Sequence, residues 1–203
     1  MNEVQSNRIL LRGSITTQPV ISHKVYGEEF YEFDLEVARI SGYQDLISVT
    51  ISTRLLNGIQ LREGDHVFLE GQIRTYNRFK DGKNRLMITV FATYFEIYEQ
   101  TGQDENVVEL EGYICREPFY RVSPLGREIS DLMIAVNRMY GKSDYVPCIA
   151  WGRNAKYSRM LQVGQRIKIE GRLQSREYKK KNSEGELIPG LAREVSIHKI
   201  EAL

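Results

Sequence analysis

Along most of the chain apolar and polar residues alternate with a period of two, the spacing of a strand that turns one face to a core. In the first half this alternation predicts strands near 8–16, 29–38, 46–53, 66–76 and 86–98. The segment Arg54-Leu-Leu-Asn-Gly-Ile-Gln-Leu61 lies between the third and fourth strands and has room for no more than about two helical turns. Asp81-Gly82 is the two-residue turn expected to close the hairpin between strands four and five.

The second half repeats the first. Asn7-Arg-Ile-Leu-Leu-Arg-Gly13 returns as Asn106-Val-Val-Glu-Leu-Glu-Gly112, an offset of 99 residues that also takes Pro19 to Pro118, Arg39 to Arg138 and Asp45 to Asp144. After a one-residue insertion Leu69-Glu-Gly-Gln-Ile73 returns as Ile169-Glu-Gly-Arg-Leu173. So long a period marks a duplicated domain rather than a solenoid. The expected units are 1–100 and 106–203, joined by the polar linker 100–105. Five short strands with one short helix between strands three and four predict an all-β chain of two tandem OB-fold barrels. Each Glu-Gly pair, at 70–71 and 170–171, is expected where a coiled strand bends and backbones approach closely. In the second unit Asn154–Leu161 is the helix, with Tyr157, Met160 and Leu161 able to share a face.

The stretch Tyr145-Val-Pro-Cys-Ile-Ala-Trp-Gly-Arg153 holds the single Trp of the chain. Period two sends Val146, Cys148 and Ala150 inward, and Tyr145, Pro147, Ile149 and Trp151 outward. Rings beside an arginine suit stacking of unpaired bases, and they equally suit a core or an interface. On strand four Ile167, Ile169 and Leu173 alternate inward, while Lys168, Arg172, Gln174, Arg176 and Tyr178 project outward and lead into Lys179, Lys180 and Lys181.

Composition narrows the class without naming a partner. With 203 residues, 41% hydrophobic and 27% charged, the chain is ordinary globular material. No apolar run approaches the roughly 18 residues of a membrane span, and the first residues show no apolar signal core, so a cytoplasmic location is expected, close to the nucleoid if the partner is DNA. Two cysteines, Cys115 and Cys148, make no disulfide framework and are expected as reduced thiols. The net charge is +1, but residues 1–100 carry 11 Lys and Arg against 13 Asp and Glu, and residues 101–203 carry 17 against 14. An anionic partner therefore favours the second half.

The second unit resembles the bacterial single-stranded DNA-binding proteins. The resemblance spans 106–201 and rests on Asn106-Val-Val-Glu-Leu-Glu-Gly-Tyr-Ile114 with Pro118, on Ile134-Ala-Val-Asn-Arg138, on Val146–Gly152, and on Leu161–Tyr178. The first unit looks like a diverged copy, as in relatives with two barrels per chain. The resemblance implies sequence-tolerant binding of single-stranded DNA in replication, recombination or repair. Its four stacking positions fall on Tyr140, Tyr145, Trp151 and Tyr178, with Arg138, Arg153, Arg172, Arg176, Lys179, Lys180 and Lys181 as candidate phosphate contacts. In the first unit the same positions are Ser41, Leu46, Ser52 and about Arg78, with no ring among them. A substitute surface there would draw on Tyr43, Arg74, Tyr76, Arg78, Phe79, Lys80 and Lys83; the same residues could instead pack between barrels.

No catalytic grouping, cofactor motif or metal-ligand spacing is present: His23, His66 and His198 stand apart, and Gly141-Lys-Ser143 lacks the earlier glycine of a phosphate loop. The family's acidic tail, which recruits other proteins, is not expected beyond Ile200–Leu203. A homodimer giving four barrels is expected, since two barrels leave open edges and faces. Two other readings stay open: a primosome-like protein that docks replication partners, and an RNA-binding OB protein.

Overall fold

A computed structural model of the chain describes residues 6–80, 82–98, 102–181 and 185–203; the side chains of Lys80, Lys83, Lys180 and Lys181 lie outside the described set. Asp81 of the expected turn and Gln100 and Thr101 of the expected linker fall outside it too. The first barrel is built from β1 (Asn7–Ile15), β2 (Val20–Val25), β3 (Glu28–Ala38), β4 (Gln44–Ser52), α1 (Thr53–Leu56), β5 (His66–Lys80) and β6 (Lys83–Ile97). The second comprises β7 (Glu105–Ile114), β8 (Phe119–Val122), β9 (Glu128–Asn137), β10 (Ser143–Trp151), α2 (Arg153–Ser158), β11 (Arg166–Lys181) and β12 (Leu187–Ala202).

Each barrel closes in the same way. Strand β1 pairs with both β5 and β3, and the parallel contact Val49↔Val90 joins β4 to β6. In the second barrel β7 pairs with β11 and β9, and Cys148↔Val195 is the parallel contact of β10 with β12. Both are OB barrels, filled by alternating residues such as Ile9, Leu11, Leu35, Ile47 and Leu69, and their counterparts Val108, Leu110, Ile134, Val146 and Ile169. The Glu-Gly pairs behave as the bend requires. Register slips at Glu70/Gly71 and at Glu170/Gly171, and a Cβ on Gly71 or Gly171 would overlap the carbonyl oxygen of Phe91 or Ser196.

Three features differ from the pattern-based expectation. β2 and β8 are extra strands laid on β3 and β9; exposed along its length, β2 offers no alternating signal. The helices are shorter than their segments, α1 stopping at Asn57 in a left-handed conformation. Met160 is exposed while Leu161 is buried, so the three-residue apolar face of that segment is not formed.

The two barrels are joined edge to edge. β1 and β7 pair antiparallel from Asn7↔Leu110 to Arg12↔Glu105, making a continuous antiparallel run β6-β5-β1-β7-β11-β12. The register is symmetric about Ile9↔Val108, since Asn7 faces Leu110 where Asn106 faces Leu11. This is the isologous arrangement of a two-fold dimer, here inside one chain. Side chains close the junction in duplicate. Arg39 grips Asp45 (2.7 and 2.5 Å), whose Oδ1 accepts the backbone N–H of Ser175 (2.7 Å). Arg138 grips Asp144, which also holds Arg74 (3.1 Å) and accepts the backbone N–H of Thr75 (2.5 Å). The hydroxyls follow suit: Ser175 Oγ accepts Leu46 N–H, and Thr75 Oγ1 accepts Tyr145 N–H, both at 2.9 Å.

Candidate nucleic-acid interface

Strand β10 sets the geometry of the second barrel's outer surface. Val146, Cys148 and Ala150 are buried as alternation requires, and burial raises the Cys148 thiol pKa well above its usual range. Tyr145 is 51% exposed and Trp151 39%, both on the solvent side. Six residues apart on one strand, they stand about 20 Å from each other. Tyr145 sits at the junction, its backbone bonded to Thr75 of the first barrel. Trp151 ends the strand; Gly152 then turns at φ +53°, and Arg153 opens α2 with its side chain in solvent.

The other two rings come from elements that flank this strand. Tyr140 lies on a single 3₁₀ turn, Met139–Gly141, in the left-handed region (φ 64°, ψ 31°), and is 96% exposed. A non-glycine residue there is uncommon and costs energy that its own packing does not return. It overhangs a groove of about 980 Å³ shared with the first barrel, lined by Asn7, Gln72, Lys142 and Arg166. Tyr178, 38% exposed, pairs with Gly190 across the β11–β12 hairpin, where any Cβ would strike its ring. Its surroundings form a second groove of about 480 Å³, walled by Pro147, Leu191 and the first barrel's Leu86 and Met87. Both grooves cross the barrel boundary, which the sequence did not signal.

The cations divide into two groups. Arg153 and Lys179 are exposed and make no ion pair among the described residues, and Arg176 is exposed with a loose 3.8 Å contact to Glu194. Arg138, expected as a phosphate contact, is instead committed to Asp144 and to the Thr75 carbonyl. Arg172 is half-buried in a cleft with Arg39, Asp45 and His198; burial and then Arg39 lower its pKa. The outward row expected on strand four is interrupted there as well. Gln174 is buried and donates to Glu194 (3.0 Å), because the first barrel packs against this part of β11. Ile149, expected outward, is buried too. For Lys180 and Lys181 the side chains lie outside the described residues.

In the first barrel the candidate residues scatter. Arg74 is held by Asp144, and Tyr43 lies under its own Arg39 (4.6 Å to the ring centre). Phe79 is exposed near the hairpin tip, and the side chains of Lys80 and Lys83 fall outside the described set. Tyr76 and Arg78 do come together, on a concave surface that also includes His23, Glu32 and Phe91, three residues that sequence spacing did not connect.

Residues 105–200 match the model of the single-strand binding protein family. The single-stranded DNA-binding protein of Thermus thermophilus is 25% identical over 195 residues, covering 82% of this chain and 74% of that one. The family match falls on the second barrel, and over most of its length the chain resembles the bacterial single-stranded DNA-binding proteins. Single-stranded DNA-binding protein 1 of Staphylococcus aureus is 33% identical over 87 residues, 39% of this chain and 51% of the relative. In fold, the chain is similar to the crystal structure of wild-type single-stranded DNA binding protein from Thermus aquaticus (TM-score 0.76, 23% identity, covering 97% of this chain and 92% of that one). Among the described residues no helix is long and apolar enough to cross a membrane, and no group of three or more His, Cys, Asp or Glu is placed to hold a metal ion.

Proposed function

We propose that this chain binds single-stranded DNA without sequence preference on its second barrel, in replication, recombination or repair. Tyr140, Tyr145, Trp151 and Tyr178 would stack bases, and Arg153, Arg176 and Lys179 would contact phosphates, joined by Lys180 and Lys181. The observation that carries this reading is the contrast between the two barrels. Both keep the inward face of the third strand, yet all four rings stand at least partly exposed on the second, and the first has none at those positions. A fold that forms without them leaves contact with an outside partner as their reason. Stacking on each contributes about 1–3 kcal/mol and tolerates any base. The names of the Thermus and Staphylococcus relatives point to the same ligand.

The test is a titration of Trp151 fluorescence with oligo-dT, with matched RNA and duplex DNA as competitors. Quenching by oligo-dT alone is the expected result; absence of quenching at saturation, or stronger competition by RNA, removes the reading. We further read the chain as a homodimer, with the outer face of the β6-β5-β1-β7-β11-β12 run as the contact, where Tyr94, Val107 and Tyr113 are exposed. Sedimentation as a monomer at micromolar concentration would exclude that assembly.

A further inference from the structure

The concave surface on the first barrel has a volume of about 530 Å³ and lies between β2, β3, β4, β5 and β6, with Arg74 and the second barrel's Arg138, both bonded to Asp144, also in its lining. Its walls carry rings on one side: Tyr76, half-exposed, and Phe91, which leans on Phe30 (5.8 Å) as Phe30 stacks on His23 (4.7 Å, 3° between planes). Arg78 stands exposed at the rim and makes no ion pair among the described residues. Glu32 lines the concavity, half-buried, and accepts one hydrogen bond from Ser48 Oγ (3.3 Å).

The duplication shows what is unusual about Glu32. Its counterpart in the second barrel is Asp131, which Arg121 clamps with two hydrogen bonds (3.0 and 3.2 Å). The residue at the place of Arg121 in the first barrel is Ser22, which also lines the concavity. The arginine that neutralises the carboxylate in one barrel is therefore missing in the other. The neighbouring Arg193 makes no hydrogen bond to Glu32: it donates to Asp34 (3.2 Å) and the Leu46 carbonyl (2.8 Å) and reaches Glu32 through its charge alone. Tyr76 and Glu32 line the same concavity, and burial, then the Glu32 charge, raise the Tyr76 hydroxyl pKa. A carboxylate left open beside aromatic rings, with a free cation at the rim, matches a nucleotide in a definite orientation: base between the rings, amino group toward the carboxylate, phosphate toward the cation.

We propose that the first barrel holds one unpaired nucleotide with an amino-bearing base (cytosine, adenine or guanine), selected by Glu32 and stacked on Tyr76 and Phe91. Thymine is disfavoured, because its O4 presents an acceptor where the carboxylate needs a donor. The inference rests on the reading of the chain as a single-stranded DNA binder, and it gives the two barrels different work. The second grips any sequence, while the first adds preference at one position and anchors the phosphate through Arg78.

The experiment measures anisotropy of labelled oligonucleotides on the full chain, comparing oligo-dT with oligo-dT in which every third residue is dC. It uses wild type, Glu32→Gln, Arg78→Ala and Trp151→Ala, each checked for an unchanged thermal melt. Wild type is expected to favour the dC-containing strand by about tenfold. Glu32→Gln should abolish or reverse that preference, Arg78→Ala should weaken both strands alike, and Trp151→Ala should weaken both yet keep the preference. Equal affinity of wild type for the two strands, or a preference that Glu32→Gln leaves intact, overturns the proposal, while Trp151 quenching by oligo-dT would leave the second-barrel reading standing. A preference that survives in wild type while Trp151→Ala costs no affinity supports the first-barrel site and removes the second-barrel one.

Discussion

Asp45 of the first barrel accepts the backbone N–H of Ser175 in the second at 2.7 Å, from a position that leaves it 1% exposed. Its repeat partner Asp144 does the same for Thr75. Each carboxylate also neutralises an arginine of its own barrel, so removing one leaves a partly buried cation without its counter-charge and a buried N–H without an acceptor. Asp144→Ala is therefore expected to cost about 3–5 kcal/mol of stability, and Asp144→Asn less, since one acceptor oxygen remains. Urea unfolding measures both. A loss below about 1 kcal/mol, the range of exposed pairs, would mean that the junction does not depend on this contact.

The glycines of the two Glu-Gly pairs make a second expectation, argued from sterics alone. Neither Gly71 nor Gly171 has a positive φ; what excludes a side chain is the carbonyl oxygen of the neighbouring strand, Phe91 or Ser196. Gly171→Ala must push β12 away from β11 at the bulge, at a cost of about 1–3 kcal/mol by analogy with overpacked cores. Thermal unfolding reads the change. Gly185→Ala, at a position with nothing within 4 Å but a φ of +84°, is the comparison that separates crowding from backbone strain.

How far the sequence could be read follows the same division. What repeats between the halves is fold and junction: Asn7 and Asn106, Arg39 and Arg138, Asp45 and Asp144 recur because each does one structural task twice. Repetition was visible, but not its purpose, and Arg138 was expected among the phosphate contacts. The buried Gln174 and Ile149 were misread for a related reason, since period two reports a strand's own two faces and is blind to a second barrel packed on one of them. The concavity of the first barrel was illegible because His23, Glu32, Tyr76 and Phe91 lie on four different strands, each with an unremarkable local spacing.

Trp151 offers a direct measure of base stacking, because the single Trp is both probe and participant. Its side chain is 39% exposed, and the core residues next to it, Ala150 and Cys148, face the other way. Trp151→Ala should thus leave the thermal melt nearly unchanged and weaken oligo-dT binding by about 1–3 kcal/mol. Tyr145→Ala should act similarly on affinity. A large loss of stability in Trp151→Ala would make the ring a packing element instead.

The salt dependence of binding discriminates between arginines that look alike in sequence. Each phosphate contacted on a single strand contributes about −0.7 to the slope of log affinity against log salt. Arg153 and Lys179 are exposed and unpaired among the described residues, so Arg153→Ala and Lys179→Ala are each expected to flatten the slope by about that amount. Arg138 has its charge balanced by a buried carboxylate and its guanidinium bound to the Thr75 carbonyl. Arg138→Ala should then lower stability while leaving the slope of the remaining folded protein as it was. If instead Arg138→Ala flattens the slope and Arg153→Ala does not, the strand runs along the junction between the barrels rather than past the end of β10.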